Sequence, residues 1–292
     1  MLLCAISIRF LNQDEVVTSA LIASSQVLER PQAPVPRAPV TPVTEKLPNS
    51  VIKSVTDIQK KKQEPSGVKP CPISRIASLT EAERNPEKGP RHMVSPPSGG
   101  PLHLVCCSTT KGPFNALVHE NWAPLGAQRF LEMIRTGYFD SGVPLMRCIK
   151  GFLCQFGLNN KPQVSERYKK RIPDDPQWLP EGTQHRQNEQ GVKRFPKGYL
   201  AYAGAGKNSR DNQLFVALEN IPTLAEEAPW EVPWGELVGK ISFDTFAKVH
   251  TGYGDHGPPQ GRLWREGMTE DSRKEFPKLD YITGCYIADQ VA

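Results

Sequence analysis

The sequence predicts a mainly β fold: a barrel of short strands with two helices, preceded by a proline-rich extension without regular structure. Three observations predict it. Short apolar runs recur from Leu102 to Ala288, only two segments carry a clear helical period, and helices do not alternate regularly with strands as a doubly wound sheet would require. Upstream, prolines at 31, 34, 36, 39, 42 and 48 remove backbone donors and fix φ, so neither helix nor sheet can grow there. Residues 1–100 are therefore assigned to a disordered extension and 101–292 to one folded domain.

Taken in order, LHLVCCST (102–109) and FNALVHE (114–120) read as two strands around the turn Thr110-Lys111-Gly112-Pro113. Pro124 opens a helix, as proline does at a first helical position. Ala127, Phe130, Leu131 and Ile134 share one face of it, and Gly137 ends it. Strands are expected at 145–149, 152–156, 199–203, 213–218 and 234–238. A second helix is expected at about 242–250, with Phe243, Phe246, Ala247 and Val249 turned inward, and a closing strand at 280–288. Between Asn159 and Lys197 a long polar insert containing KKRIPDDPQWLPEG reads as variable surface.

Composition narrows the function. Hydrophobic residues make up 38%, low for a fully packed chain, and 28 prolines are about twice the usual share. The net charge is +5, of which +4 lies in residues 1–100 and +1 in the remainder. A nearly neutral folded part lacks the concentrated basic face that nucleic-acid binding needs. The run Lys60-Lys61-Lys62 reads as solvated charge. No apolar run approaches the roughly 20 residues of a membrane span. Met1–Leu11 is apolar but short, contains Arg9, and is followed by Asp14 and Glu15 without a clear cleavage site, which makes it a weak targeting signal. Seven cysteines occur without metal-binding spacing. Cys106, Cys107, Cys148 and Cys154 sit in apolar runs and read as buried free thiols, which favours a reducing, cytoplasmic setting.

Several catalytic motifs fail. AYAGAGKNS (201–209) has Ala201 where a phosphate loop needs its first glycine and Asn208 where it needs a hydroxyl after Lys207; Ser209 spoils a dinucleotide fingerprint. Asp255-His256, in a Gly/Pro-rich loop, reads as plain surface. What remains is a constellation with no obvious nucleophile or metal ligand: Arg147, Phe152, Leu153, Gln155, Gln213 and Phe215.

That constellation resembles the cyclophilins. LMRCIKGFLCQFG (145–157) is similar to the family's F-H-R-x-I-x-G-F-x-x-Q-G-G, and GYLAYAGAGKNSRDNQLFV (198–216) to its G-x-L-S-M-A-N…S-Q-F-F-I. APLGAQRFLEMIRTGYFD (123–140) is similar to A-P-x-T-V-x-N-F-x-x-L-x-x-x-G-Y-Y-D, and the tail 252–282 resembles that of divergent, bacterial-like members. The likeness covers roughly 102–288. It implies a closed eight-stranded antiparallel barrel capped by two helices, and peptidyl-prolyl isomerase activity on proline-containing polypeptides, without cofactor, by a monomer. It carries the catalytic arginine onto Arg147 and the backbone-binding glutamine onto Gln155. The proline pocket falls on Phe152, Leu153 and Phe215, with Gln213 at its flank, and Tyr202, Ala203 and Gly204 match the segment that pairs with substrate backbone.

Those residue types suit the reaction. An always-charged guanidinium can donate to the imide nitrogen as it pyramidalises in the twisted state, and apolar rings can hold the proline. The sequence departs from the pattern at Leu145 and Met146, at Phe156, and at Asn212 and Leu214. The family's loop tryptophan and histidine have no clear match; Trp230 and Trp234 are the candidates, of which Trp234, before Gly235, matches the barrel Phe-Gly. The alternative function is a cyclophilin-like module that binds proline segments without useful turnover. Arg147 and Gln155 argue against it, since a pure binder has no need of the arginine.

Overall fold

The computed structural model describes residues 70–84, 94–180, 194–226 and 228–292, all within one compact unit, Glu64–Ala292. The polyproline-like stretch, the lysine run and Met1–Leu11 lie outside the described residues.

Nine strands form one curled sheet: β1 Leu102–Thr109, β2 Gly112–His119, β3 Val143–Pro144, β4 Arg147–Cys148, β5 Leu153–Phe156, β6 Tyr199–Tyr202, β7 Leu214–Ala217, β8 Gly235–Val238 and β9 Tyr281–Val291. The order is β3-β9-β1-β2-β8-β6-β7-β5-β4, with every neighbouring pair antiparallel. This is not the closed eight-stranded barrel that the resemblance implies. The ladder has two ends, β3 and β4, and both lie in the segment 143–148. Pro144 has no N–H to continue the β3 ladder, and Leu145 and Met146 separate the piece paired with β9 from the piece paired with β5. Of the strand expected over 145–149 only Arg147–Cys148 pairs, and Val143–Pro144 before it forms a separate short strand.

Among the described residues six α-helices accompany the sheet: α1 Glu81–Arg84, α2 Pro124–Arg135, α3 Pro162–Ser165, α4 Lys240–Ala247, α5 Gln260–Glu266 and α6 Glu270–Glu275. None of the described helices is long and apolar enough to cross a membrane. In α2, Ala127, Phe130, Leu131 and Ile134 are buried as the period predicts, and Gly137 takes the left-handed conformation that ends it (φ 68°). In α4, Phe246 and the following Val249 are buried and Phe243 is partly so, but Ala247 is exposed and Ser242 and Thr245 point inward instead. Those hydroxyls satisfy strand backbone: Ser242 Oγ accepts from Asn115 N at 2.8 Å, and Thr245 Oγ1 donates to Pro113 O at 2.7 Å. Burial without a partner would cost them more than the missing alanine contact gains.

The main core packs Val105, Cys107, Leu200, Leu214, Val216 and Trp234 of the sheet against α2 and α4. A separate layer covers the other face of β1, β2 and β8, where Leu104, Leu117 and Val238 meet Ile73 and Ile76. The upstream segment 70–84 is thus packed onto the sheet, contrary to the expectation of disorder there. Asn115 Nδ2 donates to Ile73 O at 3.0 Å, Ile76 N to Asp289 Oδ2 at 2.8 Å, and Gly239 N to Glu83 O at 2.7 Å. Disulfides Cys71–Cys106, Cys107–Cys285 and Cys148–Cys154 replace the expected free thiols. Strand geometry explains the pairings: Cys107 faces Cys285 and Cys148 faces Cys154 across their ladders, while Cys106 points to the opposite face, where Cys71 arrives. With these thiols paired, the argument for a reducing compartment loses its basis.

The insert is not mere surface either. Asp175 accepts from the N–H groups of Leu125 and Gly126, each at 2.9 Å, and so caps α2, whose N-cap Ala123 has no side chain able to do it. Trp178 packs against Trp122 and Tyr199.

Candidate active site

Alternation along three neighbouring strands builds the site. In β5, Cys154 and Phe156 enter the main core, so Leu153 and Gln155 face the other way. In β7, Leu214 and Val216 enter the core and leave Phe215 and Ala217 on the same side as Leu153. Register joins them: Arg147 pairs with Gln155, and Gln155 with Phe215. Gln155 Nε2 donates to Gln213 Oε1 at 3.1 Å. Leu153 and Phe215 belong to one apolar cluster with Phe152 packed against it, and the Arg147 guanidinium lies 6.0 Å over the Phe152 ring. Six of the nine residues expected at the site, Arg147, Gln155, Gln213, Phe152, Leu153 and Phe215, thus gather on one face.

The remaining three divide. Ala203 packs partly on the same apolar cluster, and its N–H bonds Gln213 O at 3.0 Å. Gly204 lies under Trp230: a Cβ there would stand 2.7 Å from the indole Cδ1, so only glycine lets the ring approach. Tyr202 belongs to the core instead. Its ring is fully buried near Trp234 and its hydroxyl donates to Gly126 O at 3.1 Å, so its side chain does not reach the site. Trp234 is also closed into the core, stacked near Phe130, which leaves Trp230 as the loop tryptophan beside the site. The departures Leu145, Met146 and Phe156 are buried.

Sequence reasoning missed three polar residues. Asp255 Oδ1 accepts from Arg147 Nε at 2.6 Å, so this acid, exposed as expected, is also the arginine's ion-pair partner. Gln260 Nε2 donates to Gln155 Oε1 at 3.4 Å. Glu231 feels the Arg147 charge and accepts from Ala225 N at 3.3 Å. The available signal was the arginine itself: a guanidinium in a mostly apolar strand needs a countercharge.

Two carboxyls beside the site titrate unusually. Burial pushes Glu231 up from 4.5 to about 7, against the pull of the Ala225 N–H and of Arg147. Burial likewise pushes Asp211 up to about 6, against the N–H groups of Gln213 and Asn212. Where the folded pKa lies above the unfolded one, the folded chain holds more protons, so stability falls as pH rises through that window. Glu231 therefore costs stability progressively from about pH 4.5 to about pH 7. Urea midpoints at pH 5 and pH 8 should differ less in Glu231→Gln than in the natural chain. An unchanged difference would show that Glu231 ionises as freely as an exposed acid.

The family model described as cyclophilin type peptidyl-prolyl cis-trans isomerase/CLD matches residues 104–262. Peptidyl-prolyl isomerase CWC27 of Yarrowia lipolytica is 30% identical over 148 residues, 48% of this chain and 35% of that protein. Peptidyl-prolyl cis-trans isomerase CYP18-2 of Arabidopsis thaliana is 29% identical over 137 residues, 45% of this chain and 73% of that protein. A crystal structure of a Cryptosporidium parvum cyclophilin type peptidyl-prolyl cis-trans isomerase, obtained in the presence of the dipeptide Ala-Pro, aligns with 63% of this chain and 98% of its own at 19% identity and a TM-score of 0.42.

Proposed function

Since the chain belongs to the cyclophilin-type peptidyl-prolyl cis-trans isomerase family, we propose that it catalyses rotation about X–Pro bonds in polypeptides, with Arg147 as the catalytic group. The observation that carries this reading is the Arg147–Gln155 rung standing beside the apolar face of Phe152, Leu153 and Phe215. We assign the activity to residues 101–292, acting as a monomer, with the segment 70–84 as a strap on the far side of the sheet.

The chemistry follows from the peptide bond. Its partial double-bond character gives a barrier of about 18–20 kcal/mol, and X–Pro isomers exchange over roughly tens to hundreds of seconds. In the twisted state the imide nitrogen regains a lone pair. The arginine donates to that lone pair more strongly than to the planar ground state, which lowers the barrier rather than merely tightening binding. Phe152, Leu153 and Phe215 hold the proline ring by burial, while Gln155 and the backbone at Ala203 and Gly204 hold the flanking peptide so that only one side turns. No proton is transferred in this scheme.

The test is the refolding of a protein whose slow phase is a prolyl isomerisation. The full chain should accelerate that phase in proportion to its concentration and leave faster phases unchanged. A slow phase indifferent to the chain would refute the reading.

A further inference from the structure

We propose that Asp255 and Gln260 are positioning residues: together they hold Arg147 and Gln155 in the orientation the reaction needs. The proposal rests on the isomerase reading above and assigns a task to the tail segment 250–260.

The segment is firmly seated against the strand that carries the arginine. A Cβ on Gly257 would stand 2.4 Å from Met146 O, so backbone lies directly on backbone one residue before Arg147. At one end His250 N donates to Asp280 Oδ2 at 2.8 Å. In between, Tyr253 stacks edgewise on His250 and Phe276, and its hydroxyl accepts from Lys278 N at 3.1 Å. Gly254, at φ 53°, opens the tight turn Gly254–His256 that delivers Asp255. A carboxylate fixed in this way is a rigid stop for a long, flexible arginine side chain.

Which nitrogen it takes is the informative detail. Asp255 engages Nε at 2.6 Å, and neither Nη group makes a hydrogen bond to another described residue. Four of the five N–H donors stay available for substrate, while the guanidinium plane is set by the carboxylate on one edge and the Phe152 ring at 6.0 Å on its face. The Asp255 side chain is 60% exposed, so the pair adds little to stability, and its effect is on geometry. Gln260 does the same for the neighbouring group: it donates to Gln155 Oε1, whose own Nε2 is committed to Gln213. The tail thus reaches both members of the Arg147–Gln155 rung, each through one polar contact.

Steady-state isomerisation of an X–Pro peptide by the full chain tests this. Asp255→Asn should lower kcat by about tenfold with KM nearly unchanged, the signature of a misaimed catalytic group. Asp255→Glu should recover part of the loss. In an Arg147→Ala background Asp255→Asn should have no further effect, because there is nothing left to aim. The Nε–H resonance of Arg147 should be protected from solvent exchange in the natural chain and lose that protection in Asp255→Asn. An active natural chain whose Asp255→Asn variant is equally fast or faster would overturn this inference alone. A natural chain with no activity would overturn the isomerase reading, and the inference with it.

Discussion

Arg147→Ala is expected to cut kcat/KM for X–Pro isomerisation by roughly a hundredfold or more, in line with the loss of a donor aimed at developing charge. The fold should survive. The arginine's ion pair with Asp255 involves a largely exposed carboxylate, and such pairs contribute little to stability. Arg147→Lys should also be poor, because a point charge cannot keep Nε on Asp255 and Nη on the substrate together. Near-UV circular dichroism beside the rate measurement separates a lost fold from a lost catalyst. Full activity in a folded Arg147→Ala protein would remove the arginine from the mechanism.

The largest stability effect is expected at Arg210. Its side chain is fully buried, its Nη1 donates to Asp175 Oδ2 at 2.9 Å, its Nη2 donates to Pro173 O, and its Nε lies 3.6 Å from Asp174. Asp175 in turn caps α2. Arg210→Met strands a buried carboxylate and should cost about 3–5 kcal/mol, readable from urea unfolding. Arg210→Met combined with Asp175→Asn should cost less than the two single changes added together, since the stranded charge is then gone. A loss below about 1 kcal/mol in Arg210→Met would mean that water reaches and solvates Asp175. The consequence reaches the site, because Asp174 N donates to Asn208 Oδ1 at 2.9 Å and Asn208 N to Asp174 Oδ2 at 2.7 Å, which braces the loop that carries Gly204 and Gln213.

What the sequence made legible was local. The continuous run LHLVCCST, the helical face from Ala127 to Ile134 and the alternation through Leu153 and Gln155 each follow from a short period, and the site residues on β5 and β7 come with them. β1 is buried on both faces, in keeping with its apolar run Leu104–Cys107. What covers its outer face was not legible, because Ile73 and Ile76 are lone apolar residues in a short stretch after Pro70 and Pro72. Most of the missed features are long-range pairings. Asp255 meets Arg147 from 108 positions away, Asp175 caps a helix 50 positions upstream, and Cys71 finds Cys106 across 35. Each of these looks like a polar loop residue or a buried thiol until the chain is folded. The barrel expectation failed for a smaller reason: the one segment that would close the ladder contains Pro144 and two residues that leave it.

The central claim is catalysis rather than mere binding. Exchange NMR on a short X–Pro peptide tests it most directly, because one titration with the full chain reports both the broadening of each isomer's signals on binding and the rate of interconversion between them. The account predicts cis–trans cross-peaks on a sub-second timescale at substoichiometric chain, absent for the peptide alone and nearly abolished in Arg147→Ala. Binding shifts without interconversion would contradict it, and would leave a cyclophilin-like module that holds proline segments and does not turn them.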